Sequence, residues 1–248
     1  MLVSIVCSLS LPAFSQGVAI YKKDGSMVKY AYEEIDSIVT YNYGEEPGTP
    51  SLPDTPVASQ YEAVDLGLSV KWATHNVGAT KPEEYGGYYA WGETEEKDDY
   101  SWETYIWCNG SYNTMTKYCT DSSYGIVDNK TVLDPEDDVA HVKWGGDWRM
   151  PTKAEQDELR TNCTWEWTSL NGVNGYKVTG PNGNSIFLPA AGYRGGTHVN
   201  SRGLYGYCWS SSSVSRSGNA CYLSFGDGDY GWNGSGRYCG QSVRPVLK

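Results

Sequence analysis

Apolar and polar positions alternate in short runs along most of this chain, and glycine, asparagine or proline interrupts the runs every few residues. That period of two predicts strands joined by turns. The first exception is residues 2–14, a continuous apolar run too short to span a bilayer and ending at the small-residue site Ala13-Phe14-Ser15. It reads as a secretory leader over residues 1–15, although no Lys or Arg precedes Lys22 to supply the usual basic start. Residues 16–43 then read as a small β module. Runs at 18–22 and 27–30 flank Lys23-Asp24-Gly25-Ser26, an Asp-Gly hairpin signal, and a third run follows at 35–41. Within 44–59, Pro47, Pro50, Pro53 and Pro56 recur every third residue, which suits an extended polyproline-like linker.

Residues 60–248 read as one unit. Strands are expected at 63–65, 70–73, 87–91, 175–179, 185–189, 207–211, 220–225 and 242–246. Only two helices are signalled. Asp134 caps the first in this reading, with Pro135 at its first position and Glu136, Asp137 and Asp138 set against the positive end of its dipole. Thr152-Lys153-Ala154-Glu155 has the form of a capping box and opens the second, which runs to about Asn162. The expected fold class is α+β, loop-rich, with short-stranded sheets and two short helices.

Composition narrows the function. Aromatic residues make up 14% of the chain, with 10 Trp and 21 Tyr against 3 Phe, so there is ample material for a core. A formal charge of -11 with no basic patch argues against nucleic acid or an anionic membrane as partner. No second apolar stretch reaches the length of a membrane-spanning segment. Beyond the leader the cysteines are Cys108, Cys119, Cys163, Cys208, Cys221 and Cys239, an even number without any Cys-x-x-Cys pair. An exported protein permits disulfides, Cys108 with Cys119 being the nearest local pair, yet a domain of this size is stable with all its thiols free.

Four segments carry a resemblance to a known family. Val64-Asp65-Leu66-Gly67-Leu68-Ser69-Val70-Lys71-Trp72-Ala73, Tyr88-Tyr89-Ala90-Trp91-Gly92-Glu93, Trp144-Gly145-Gly146-Asp147-Trp148-Arg149-Met150-Pro151-Thr152 and Ser242-Val243-Arg244-Pro245-Val246 resemble the Fibrobacter succinogenes major paralogous domain, over nearly all of residues 61–248. The Trp-Arg-Met-Pro-Thr segment is also similar to one in formylglycine-generating-enzyme-like proteins. The resemblance implies a C-type-lectin-like fold, with Trp72, Trp91, Trp144, Trp148 and Trp209 in the core. Function does not follow from fold alone.

Between residues 193 and 240 all but nine positions are Gly, Ser, Tyr, Asn, Arg, Cys, Asp or His, and the exceptions include Trp209, Ala220, Leu223 and Phe225. These eight residue types are among those that arise when the adenines of an Asn codon are replaced at random. The window is thus similar to the hypervariable region of diversity-generating retroelement target proteins. Tyr offers a large rigid contact area at low entropic cost, and small residues leave room around it. The expected readout residues are Tyr205, Tyr207, Arg216, Tyr222, Asp229, Tyr230, Trp232 and Tyr238, facing solvent on one contiguous surface, with Trp209, Leu223 and Phe225 buried. The first reading is an exported module, at the cell envelope, cell surface or outside the cell, that binds a protein or glycan ligand. The second is a structural envelope or fimbria-associated protein whose same surface packs against a neighbouring subunit.

Catalytic chemistry finds little purchase. There is no Gly-x-Ser-x-Gly elbow before a helix, and His75, His141 and His198 are scattered. The acidic run at 136–138 lacks the spacing of a calcium loop, and the sugar-site tripeptides of calcium-dependent lectins are missing. No cofactor or metal is expected, and the chain is not expected to be an enzyme.

Overall fold

The computed structural model describes residues 17–21, 27–31, 61–215 and 217–248, the first two stretches as backbone alone. The expected leader, the expected linker, the expected strand at 35–41 and Arg216 lie outside the described residues. The chain divides after Asp54 into two units. In the first, β1 (Gly17–Tyr21) and β2 (Met27–Ala31) form an antiparallel hairpin with Tyr21 opposite Met27.

The second unit runs β3 (Ala63–Val64), β4 (Lys71–Ala73), α1 (Val139–Trp144), α2 (Lys153–Asn162), β5 (Thr164–Leu170), β6 (Val173–Thr179), β7 (Ser185–Pro189), β8 (Tyr193–Gly195), β9 (His198–Asn200), β10 (Tyr205–Ser213), β11 (Asn219–Gly226), β12 (Asp229–Gly236) and β13 (Val246–Leu247). Its strands make small sheets in the orders β13-β4-β3, β5-β6-β7, β8-β9 and β10-β11-β12, all antiparallel. The class is α+β, with two short helices.

The second helix is built as its sequence implies. Thr152 Oγ1 accepts from the Glu155 amide at 3.3 Å, and the Glu155 carboxylate accepts from the Thr152 amide at 2.7 Å. Thr152→Ala is expected to cost about 1 kcal/mol in a urea melt. The first helix starts later than its sequence implies. Pro135 opens only a three-residue 3-10 turn, Pro135–Asp137, and Asp134 makes no side-chain cap because its carboxylate is held by Lys117 at 2.8 Å and Lys130 at 2.5 Å. Those two cations hold it well below the usual carboxylate range. The working cap is Asp138, whose carboxylate accepts from the amides of Ala140, His141 and Met150, at 2.9, 3.2 and 2.8 Å. It therefore ties α1 to the Trp-Arg-Met-Pro-Thr segment.

Two expected strands are largely replaced by isolated pairing. Residues 87–91 make a single bridge, Tyr89 with Gln241, and of 242–246 only Val246 enters a strand. Here the chain ends are fastened by a side chain. Arg244, 1% exposed, donates to the Ala73, Thr74 and Phe187 carbonyls and to Asn76 Oδ1, at 2.8–3.2 Å.

The β10-β11-β12 sheet is the centre of the unit. On one face Cys208, Leu223 and Phe225 pack with Leu159, Tyr176, Val178 and Trp72; on the other, Trp209, Ala220 and Tyr222 pack with Trp91, Tyr118, Met150 and Val243. The expected tryptophan core holds for Trp72, Trp91, Trp148 and Trp209, whereas Trp144 is half-buried and stacks on Tyr61 with ring centroids 3.9 Å apart. All six cysteines among the described residues are free thiols, so Cys108 and Cys119 are not paired. Each instead donates to a carbonyl, Cys108 to Trp102 at 3.2 Å and Cys119 to Asp121 at 3.1 Å.

Candidate functional site

Strand register decides which side chains share a face, because residues directly opposite one another on neighbouring strands project together. Tyr205 stands opposite Gly226, itself opposite Asp229; Tyr207 stands opposite Ser224, and Trp209 opposite Tyr222. These make one face. Cys208 stands opposite Leu223, itself opposite Trp232, and Phe225 opposite Tyr230. These make the other. The eight expected readout residues thus do not share one surface. Tyr205, Tyr207, Tyr222 and Asp229 belong to the first face, and Tyr230 and Trp232 to the second.

Tyr222 is a further correction. It is 9% exposed, because a central strand of a sheet covered on both sides has no solvent-facing positions in its middle. Burial pushes its hydroxyl up to about 12. The same burial claims Cys208, Ser210, Cys221 and Arg237, so the polar composition of the window overstates its surface. Arg237 donates to the Tyr118 carbonyl at 2.8 Å and lies 4.6 Å from the Trp91 ring centre, which makes it framework. Trp209, Leu223 and Phe225 are buried as expected, at 0–1% exposure.

What reaches solvent on the first face is a group of tyrosines at the sheet's β8-β9 end. Tyr207 is half-buried, with Tyr193 at 5.2 Å edge-on, Tyr222 at 5.7 Å beneath it and Tyr205 at 6.3 Å. Tyr205 is 47% exposed and follows Leu204, 65% exposed, in a turn whose Leu204 and Tyr205 amides both donate to the Ser201 carbonyl. Tyr238, after β12, is half-buried against Trp102 at 4.8 Å, near enough to Tyr193 for their phenolates to repel. Arg202, in the same turn, is held by the Tyr88 hydroxyl at 3.0 Å. Tyr193, Leu204 and Arg202 escaped the sequence reading. Their signal was present in the register, since Tyr193 pairs with Asn200 across a hairpin that only the fold brings beside Tyr207.

Tyr230 and Trp232 sit on the exposed edge strand. Tyr230 stacks on Trp165 at 4.6 Å with planes 11° apart, and the Lys153 ammonium lies 4.0 Å from the Trp232 ring centre, itself paired with Asp157 at 2.8 Å.

The hydroxyls of Tyr207 and Tyr222 are neutral donors at neutral pH. Burial raises Tyr207, and the neighbouring Cys239, then burial, raises Tyr238. Folded tyrosines of this kind keep protons that the unfolded chain releases near pH 10, so their contribution to stability is complete below pH 10 and is lost as pH climbs towards about 12. The stability measured in urea is therefore expected to fall steeply above pH 10, with phenolate absorbance rising together with unfolding. Tyrosines that ionise near pH 10 without loss of structure would contradict this.

The histidines are engaged separately: His75 with Thr74, His141 with the Trp148 carbonyl and His198 with Thr197. Comparison with known proteins adds no relative. No family model, no curated protein and no solved structure matches this chain.

Proposed function

We propose that this chain is an exported recognition module of the C-type-lectin-like fold, binding a protein or glycan ligand through the tyrosine face at the β8-β9 end of its central sheet. The observation that carries the reading is the placement of Tyr193, Tyr205, Tyr207 and Tyr238 together at the solvent end of a sheet whose strands β10 and β11 are otherwise largely buried. Rigid aromatic rings surrounded by Gly, Ser and Asn, with Arg202 as a fixed cation, are the materials of a paratope. The window's residue types support diversification of this face between related genes, and the framework around it does not need to change. Nothing in the reading calls for a metal, a cofactor or a covalent step.

The test is a binding survey of the full chain on arrayed glycans and purified envelope proteins. Saturable binding that survives calcium chelation is expected. The absence of any saturable ligand, or binding that requires calcium, would overturn the reading.

A further inference from the structure

β12 is the outer strand of its sheet, eight residues long and paired without a bulge to β11 from Gly226↔Asp229 to Asn219↔Gly236. Its other edge is paired with no strand among the described residues. Among the described residues the backbone groups of residues 229–235 bond only to β11 and, at the Gly234 amide, to the Asn233 side chain of the same strand. The two-residue loop Asp227-Gly228 makes Gly226 and Asp229 a hydrogen-bonded pair, and Gly228 takes a positive φ of +82° that glycine adopts without strain. Alternation along the strand then turns the N–H and C=O groups of Tyr230, Trp232 and Gly234 outward. The Gly234 amide fits this, for it donates to its neighbour Asn233 Oδ1 at 2.8 Å.

A long open edge is ordinarily blunted by proline, by a bulge or by a lysine placed on it. The sequence Asp-Tyr-Gly-Trp-Asn-Gly-Ser-Gly has none of these. Lys153, whose ammonium lies over the Trp232 ring, is engaged with Asp157. The side chains on offer are Tyr230, 36% exposed, and Trp232, 49% exposed, on one face; on the other, a side chain added at Gly231 would meet nothing within 4 Å. An extended polypeptide satisfies both the backbone groups and the rings.

We propose that the partner is a second copy of this chain, joined by antiparallel β12-to-β12 pairing about a twofold axis. Such pairing sets outward residues opposite outward residues, so Tyr230 meets Trp232 or Gly234 of the partner, giving ring on ring or ring over glycine. Asp229, the only charged residue of β12, then faces an asparagine or serine at position 233 or 235 of the partner, and no two carboxylates oppose each other across the strand. The dimer continues the sheet into six strands. It leaves the tyrosine face free, since Tyr205 and Tyr207 project from β10 at the far edge.

The experiment is sedimentation velocity of the full chain across a concentration series, with two edge variants. A concentration-dependent monomer–dimer equilibrium is expected. Trp232→Lys places a charge on the edge, and Trp232→Pro removes an outward N–H that β11 does not use; each is expected to raise the dimer Kd by at least about 10-fold. Thermal melts of both variants under monomeric conditions should stay near the parent's. A chain that remains monomeric at concentrations approaching about 1 mM overturns the proposal. So does a dimer that Trp232→Lys leaves intact, which would place the interface elsewhere. A monomer that nevertheless binds a synthetic peptide of residues 227–236 would show strand addition without self-association, and would equally overturn it.

Discussion

Arg244→Ala is expected to cost at least about 4 kcal/mol and to leave the second unit largely unfolded at physiological temperature. The guanidinium is fully enclosed, and its four acceptors come from two distant stretches of chain, Ala73, Thr74 and Asn76 on one side and Phe187 on the other. Burial pushes it down to about 10, so the site bears the cost of a desolvated charge. That cost is offset because every acceptor is an oxygen held rigidly in place. Truncation leaves those oxygens buried and unpaired, at about 1–3 kcal/mol each where no water enters, and opens a cavity as well. Against a typical domain stability of about 5–15 kcal/mol this is a large fraction. Arg244→Lys should recover little, since an ammonium cannot reach a fork of acceptors spread around a plane. Urea denaturation checks both, and an alanine variant within about 1 kcal/mol of the parent would remove Arg244 from its role as the clamp.

The second large effect is on binding. Replacing Tyr205 and Tyr207 together by alanine is expected to weaken ligand binding about 1,000-fold, from about 2 kcal/mol for each anchoring ring. The two rings touch, so their effects are coupled and the sum is approximate. Stability should move much less: Tyr205 is exposed, within about 0.5 kcal/mol, and half-buried Tyr207 adds about 1 kcal/mol. Replacing Tyr230 and Trp232 by alanine is expected to leave this binding unchanged, because both side chains project from the opposite face. The array measurement separates the two pairs.

Legibility followed the range of the forces involved. Local signals were read correctly where a few neighbouring residues suffice: the Thr152-Glu155 box, the antiparallel pairing of β1 with β2, and the strand at Ser185–Pro189. The first helix was misplaced because Asp134, a good cap by type, is taken by Lys117 and Lys130, one of them 17 residues away. β12 was missed since three glycines in eight residues argue against a strand, and pairing with β11 overrides that preference. For the site, residue type identified the aromatic anchors but not their faces. Tyr207 and Tyr230 look alike in sequence, yet the register sends one to the tyrosine group and the other onto Trp165. Tyr222 alternates correctly with Leu223, and only the second covering layer on the sheet explains its burial.

That the tyrosine face is a variable recognition surface on a fixed frame is tested most directly by comparing this gene with its sister copies, codon by codon over 193–240. The predicted result is adenine-derived substitution at positions that reach solvent, the exposed Tyr205 and Asp229 and the half-buried Tyr193 and Tyr207, against a near-identical non-coding template. Trp209, Leu223 and Phe225, and the buried Cys208, Tyr222 and Arg237, should be unchanged. Differences spread evenly along the chain, or falling as often on the buried positions as on the exposed ones, would contradict it.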